Sequence, residues 1–307
     1  MTRASVLVVL VVSAGMTVRA QQRPIRVGID LVHFGVTVSD KKGTPITGLT
    51  AHDFEIIESG TKQSVKFFAA GDPVAAPPLH LGFLVDMSGS MTSDISDVRT
   101  AAIKFLKRNE HAVDVTLVDF DTEVRVARYG ENDYPRLIER IRARKPDGWT
   151  ALYDALGMYL IGAAEHDGQK ILVLYTDGGD TRSTTTYKDV VDLLRASDVT
   201  VYAIGYLEHQ SSSVKMDQRM QLQRFAQLTG GQAFFPMSVK EIDKMYDEIQ
   251  REIDARYTLG YSSTNERADG AWREVRIRLT RADLKGAKLR TRGGYFAPFK
   301  EASPPRR

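Results

Sequence analysis

The 307-residue sequence predicts an α/β chain: a mainly parallel sheet with helices on both faces, inserted between terminal β segments that form a small β-sandwich-like module. Three observations predict it. Between about residues 79 and 253, short apolar runs alternate with amphipathic stretches at helical spacing, as in repeated β–α units. On either side the pattern changes to the period of two expected of half-buried strands. Each β-rich flank alone offers too few strands for a stable sandwich, so the two are expected to pack together.

At the start, Arg3 precedes an apolar run at residues 6–12 and then Val18, Arg19 and Ala20, the charged, apolar and small-residue parts of a secretory signal peptide. The apolar run is too short to span a bilayer, and the chain has no Cys for a lipid attachment. The expectation is export to the periplasm or the extracellular space, with cleavage after Ala20 and no transmembrane segment in the mature chain. In residues 21–70, Val32, Phe34, Val36 and Val38 share one face of a strand, and residues 54–58, the turn Ser59-Gly60 and residues 65–68 read as a hairpin. Residues 71–78, rich in Pro and Ala, read as a linker.

In the α/β part, residues 79–253, candidate strands are 81–85, 113–118, 124–127, 171–175, 199–204 and 232–235, and candidate helices are 92–109, 134–143, 151–165, 187–196, 216–228 and 239–253. The basic stretch 136–145 reads as the solvated face of an amphipathic helix. Asp119 and Asp121, ending the second strand, read as surface charges in preference to groups standing behind a site. Residues 254–300 return to β, with three strands around 257–261, 272–279 and 293–296, and packing against the N-terminal module is expected; residues 301–307 read as a disordered tail.

Composition narrows the function. A chain that is 42% hydrophobic and 26% charged is an ordinary globular one. The absence of Cys excludes disulfides, thiolate catalysis and zinc-finger sites. Removing residues 1–20 takes away two of the 42 basic residues and none of the 39 acidic ones, so charge is close to balance and nothing favours nucleic acid. His52, His80, His111, His166 and His209 are scattered and read as surface or cap residues, with His33 in a strand. No general base stands at a recognisable spacing, and the nucleophile-elbow and paired-His zinc motifs are missing from the sequence, so no catalytic residue is assigned.

One stretch carries chemistry. The buried-looking strand 81–85 stops at Asp86, Ser88 and Ser90, which places three oxygen-bearing side chains on a loop between a strand end and a helix that Thr92 or Ser93 can cap. In open α/β sheets ligands bind there. Carboxylate and hydroxyl oxygens suit a hard cation, and one loop cannot complete its shell. Further oxygens stand at Thr150, before the helix at 151–165, and at Asp177, after the strand 171–175.

With these residues the sequence resembles the von Willebrand factor A (VWA) domain, a Rossmann-like fold whose metal-ion-dependent adhesion site combines Asp-x-Ser-x-Ser with a later Thr and a later Asp. The resemblance assigns the metal site to Asp86, Ser88, Ser90, Thr150 and Asp177, with the three hydroxyls as inner ligands and the two carboxylates supporting them. It implies Mg2+, with Mn2+ or Ca2+ as alternatives. Stretches in the flanks (Val36 to Asp40 with Gly43, Leu49 to Phe54, Leu259 to Tyr261, Arg292 to Tyr295) resemble a bacterial VWA-related family described chiefly from acidobacteria. The expected function is metal-dependent binding or adhesion, in which a protein partner's Asp or Glu completes the shell. A metal-dependent hydrolase and a structural envelope protein with a silent site are the competing readings.

Overall fold

The computed structural model describes residues 31–71 and 76–299. The signal peptide read at 1–20, the middle of the linker and the tail at 301–307 lie outside the described residues. The N-terminal flank supplies β1 (Val32–Ser39), β2 (Phe54–Glu58), β3 (Thr61–Gln63) and β4 (Phe67–Ala70). The α/β part follows as β5 (Leu79–Asp86), α1 (Ile95–Arg108), β6 (Asp114–Phe120), β7 (Val124–Gly130), α2 (Tyr134–Ala143), α3 (Leu152–Ala163), β8 (Gln169–Thr176), α4 (Tyr187–Ala196), β9 (Thr200–Gly205), α5 (Ser212–Thr229), β10 (Ala233–Phe234) and α6 (Ile242–Asp254). The chain then returns to β with β11 (Tyr257–Tyr261), β12 (Trp272–Leu279), β13 (Lys288–Arg290) and β14 (Gly294–Phe296).

The central sheet has the order β10-β9-β8-β5-β6-β7, parallel except for the edge strand β7, which runs antiparallel to β6. β5 and β8 are continuous apolar runs because both their faces are covered. One face packs under α1, α2 and α6, where Phe83, Phe105 and Tyr246 stack together, and the other under α3, α4 and α5 around Leu84, Leu172, Leu174 and Phe225. The chain runs outward from β5 through β6 to β7, then crosses back to β8 and continues the other way. The strand order therefore reverses between β5 and β8, and in open α/β sheets the crevice for a ligand lies beyond the carboxyl ends of such strands.

The terminal strands interleave in two antiparallel sheets, β13-β1-β11-β4 and β14-β12-β2-β3, so each sheet takes strands from both flanks. Phe34, Val36, Phe54, Ile56, Tyr257, Leu259, Val275 and Ile277 fill the core they share. α6 is followed almost directly by β11, which ties the α/β part to these sheets.

Several expectations are corrected. The hairpin partner of β2 is β3, not residues 65–68; β4 pairs with β11 instead. Ser59 and Gly60 both have positive φ, a tight turn that returns the chain immediately. The C-terminal flank has four strands where three were expected, because β13 joins the edge of β1. α1 starts at Ile95, after a 3-10 turn over Gly89–Ser93, and Thr92 donates its hydroxyl to the Gly89 carbonyl within that turn instead of capping α1. His80 and His166 are not isolated surface groups: His80 pairs with Asp114 and stacks on His166 at the opposite end of the sheet from the crevice.

Candidate functional site

The end of β5 carries Asp86 into a fully buried position. Its Oδ1 accepts a hydrogen bond from the Ser88 amide at 2.9 Å, which turns the chain sharply, and its Oδ2 accepts one from the Thr176 hydroxyl at 2.6 Å. Thr176 ends β8 beside it, so the two adjacent strand ends are joined through a side chain. The 3-10 turn that follows places Ser90 near Ser88, with hydroxyl oxygens 3.1 Å apart. The Ser90 hydroxyl donates to Asp177 Oδ1 at 2.9 Å, so the proton between the two serines comes from Ser88. Asp86, Ser88, Ser90 and Asp177 thus form one continuous hydrogen-bonded chain across the crevice.

Thr150 reaches the same place by another route. The Gly89 amide donates to the Gly148 carbonyl at 3.1 Å, and the Asp147 amide to the Met87 carbonyl at 2.9 Å, which straps the loop before α3 onto the loop after β5. Gly148 has φ of 75°, and a Cβ there would lie 2.3 Å from the Thr122 hydroxyl, so the strap needs glycine. Thr150 is buried, and its amide and carbonyl are held by Thr181 and Arg182. Its hydroxyl makes no hydrogen bond to the other four predicted residues. The structure therefore joins four of them through hydrogen bonds and holds the fifth beside them through the backbone.

The electrostatics are lopsided. Burial, and after it the charge of Asp177, pushes the Asp86 carboxyl up to about 7, against the lowering effect of its bonds from Ser88 and Thr176. Burial likewise raises Asp177 above the usual carboxylate range. Among the described residues no Lys or Arg forms an ion pair with either, and Asp177 Oδ2 is buried without any hydrogen-bond partner. Buried carboxylates in that state are stabilised by a cation. The donor set is oxygen only and rich in hydroxyls, and among the described residues no three His, Asp or Glu side chains gather as an alternative metal site. The residues present fit a hard divalent ion.

Asp119 and Asp121 correct the sequence reading. Both are buried, at the carboxyl end of β6 next to β5, and neither is a surface charge. Arg140 binds Asp119 Oδ2 at 2.7 Å, Arg125 binds both oxygens of Asp121 at 3.1 Å, and Arg144 reaches Asp121 and, at 3.4 Å, Asp119. Sequence reasoning also missed Thr176, the clamp between β5 and β8. Its position directly before Asp177 at a strand end is the one signal that could have found it. Asp180 is a further such group: it accepts from the Tyr153 amide and the Ser183 hydroxyl and holds the start of α3 in place. Trp149, 65% exposed, stands on the rim beside Thr150.

The von Willebrand factor type A domain family matches this sequence over residues 80–248, more than half of the chain and all five site positions. No curated protein matches. Among solved structures, the PilB minor pilin from Streptococcus sanguinis is 16% identical with a TM-score of 0.48, covering 59% of this chain, which spans 62% of the pilin's length. Proximal thread matrix protein 1 from the mussel byssus, solved with a zinc-occupied MIDAS motif, is 16% identical with a TM-score of 0.49 over 64% of this chain and 49% of its own. A von Willebrand factor type A protein from Catenulispora acidiphila is 15% identical with a TM-score of 0.48 over 81% of this chain and 74% of its own.

Proposed function

The chain belongs to the von Willebrand factor type A domain family, and from that premise we propose that it is an exported protein that binds a partner through a divalent cation held at the end of β5 and β8. Ser88, Ser90 and Thr150 would hold the ion, with Asp86 and Asp177 balancing its charge from behind. Mg2+, Mn2+ and Ca2+ fit the oxygen donors. When bound, the ion supplies a Lewis-acidic position that favours an anionic oxygen, since hydroxyl ligands leave most of its charge unneutralised. The partner group of matching chemistry is the carboxylate of an Asp or Glu on another protein.

The single observation that carries this reading is the Asp86–Ser88–Ser90–Asp177 chain, which ends in a buried carboxylate oxygen with no hydrogen-bond partner and, among the described residues, no Lys or Arg paired with its carboxylate. This cluster lies where the strand order reverses, and the exposed Ser90 and the exposed Trp149 next to Thr150 give a partner a way to it. Export rests on the N-terminal pattern of Arg3, the apolar run and Ala20. Among the described residues no helix is long and apolar enough to cross a membrane.

Thermal unfolding in chelator and with each of the three cations tests the proposal. A ligand that binds only the native state stabilises it by about 2.7 kcal/mol at roughly 100 times its Kd. The expected result is a cation-dependent rise in Tm in the wild-type chain and none in Asp86→Ala. If no cation moves the wild-type Tm, the metal-bridged binding reading is lost and the silent-site alternative takes its place.

A further inference from the structure

A second set of charges without partners is positive, and it lies on the flank of the central sheet where α1 and α2 pack. Arg99 comes from the second turn of α1 and Arg142 from the last turn of α2. With Ser96, Thr100 and Ile103 they line a cavity of about 310 Å3. Among the described residues, neither guanidinium has a carboxylate within ion-pair distance or donates a hydrogen bond. Nε and Nη2 of Arg99 are shielded from solvent and meet no acceptor. Burial accordingly pulls Arg99 below the ordinary arginine value.

The surroundings sharpen the contrast. Arg125, Arg140 and Arg144, on the same edge of the molecule, are consumed by Asp119 and Asp121, and Arg136 pairs with Asp133. In this cavity two arginines face one space, and no carboxylate is among the residues that line it. The Thr100 hydroxyl is spent on the Ser96 carbonyl at 2.9 Å, which leaves the Ser96 hydroxyl as a further donor at the mouth. Nη1 of Arg99, the planar Arg142 fork and the Ser96 hydroxyl present more donors than the two oxygens of a carboxylate accept, and they match an anion with three or four oxygens.

We propose that the cavity between α1 and α2 is a binding site for a tetrahedral oxyanion, sulfate or phosphate, held between Arg99 and Arg142 with Ser96 as a third donor. It is distinct from the cation site and does not depend on it.

Isothermal titration calorimetry on the full chain in chelator, with ionic strength held by sodium chloride, tests this in three arms: inorganic sulfate, inorganic phosphate and glycerol phosphate. Saturable binding is expected in at least one arm. The arm that binds tightest tells a free ion from an ester group borne on a larger molecule. Removing one arginine of the pair is expected to weaken binding roughly tenfold or more in both Arg99→Gln and Arg142→Gln. Arg142 is exposed, so its variant keeps the fold. Arg136→Gln, an exposed arginine outside the cavity, is expected to bind as wild type does. No saturable heat in any arm, wild-type affinity in Arg142→Gln, or equal weakening in Arg136→Gln would overturn the site. Because chelator silences the strand-end site, failure here leaves the proposed function standing, and the reverse holds too.

Discussion

Two pairs of aspartates sit on neighbouring strands at the same edge of the central sheet, and burial treats them alike: Asp86 and Asp177 on one side, Asp119 and Asp121 on the other, each almost without solvent exposure. Their surroundings differ. Hydrogen bonds from the Glu123 amide, Arg144 and Arg125 overcome the burial of Asp121 and hold it below the usual carboxylate range, whereas Asp86 is pushed up to about 7. The difference is the partner supplied. α2 delivers Arg140, Arg144 follows at its end, and β7 delivers Arg125, so both carboxylates of the outer pair have arginine partners even though Asp119 Oδ1 accepts no hydrogen bond. Hydroxyls surround the inner pair, and a hydroxyl can orient a carboxylate without neutralising it. An unneutralised buried pair reached through an exposed hydroxyl such as Ser90 is what a cation site requires.

The comparison breaks most visibly on pH. The folded value of Asp86, about 7, lies above the unfolded value of about 3.9, so its stability contribution is fully present below the unfolded value and is lost as pH rises through 7. In chelator, Asp86→Asn removes that penalty. The variant is expected to gain on wild type as pH rises from 4 to 8, by at most about 4 kcal/mol at the upper end, and to show no gain at the lower end. Denaturant titrations at the two pH values measure it. With the cation present the order reverses at pH 8, because the variant loses the bound ion. A difference that does not vary with pH would mean Asp86 is already compensated in the apo protein.

A smaller effect is expected from the outer pair. Arg144→Met removes a partner from two buried carboxylates; a fully buried broken pair costs about 3–5 kcal/mol, and since the Arg144 side chain is 31% exposed the expected loss is about 2 kcal/mol. The cation-dependent rise in Tm is expected to survive. Loss of that rise would show that the two acid pairs work as one unit, and the distinction between them would fall.

Legibility in the sequence follows the same division. The residues proposed for the cation could be singled out because a buried strand ending in alternating Asp and Ser is a local pattern, Asp177 stands at the end of the next strand, and the VWA resemblance adds Thr150. Pairing of α2 with Asp119 and Asp121 could not, because it depends on which residues of one helix turn inward in the tertiary fold. The basic stretch 136–145 reads as one solvated face, yet Arg140 and Arg144 point to the aspartates while Arg136 and Arg142 stay exposed. The missed strands have the same cause. β3 and β13 are short and mostly polar, and only their neighbours' backbone groups make them strands. The order of strands in the central sheet was visible only as an alternation, while the reversal between β5 and β8 that opens the crevice is a property of the assembled sheet.

Within the inner pair the hydroxyls themselves divide, and that division gives the smallest stability effect and the sharpest test of ligand roles. Ser90 is tied into the protein: it accepts from Ser88 and donates to Asp177, so Ser90→Ala is expected to cost about 1 kcal/mol even in chelator. Thr150 is held by its backbone alone, and its hydroxyl hydrogen-bonds to none of the other four. Thr150→Val keeps the side-chain shape and removes only that hydroxyl, so stability in chelator is expected to stay within about 0.5 kcal/mol of wild type. Its cation-dependent rise in Tm is nonetheless expected to shrink, because the Thr150 hydroxyl, bonded to none of the other four, is available to the ion. A rise equal to wild type would remove Thr150 from the ligand set and leave the ion to the residues of the β5 and β8 loops.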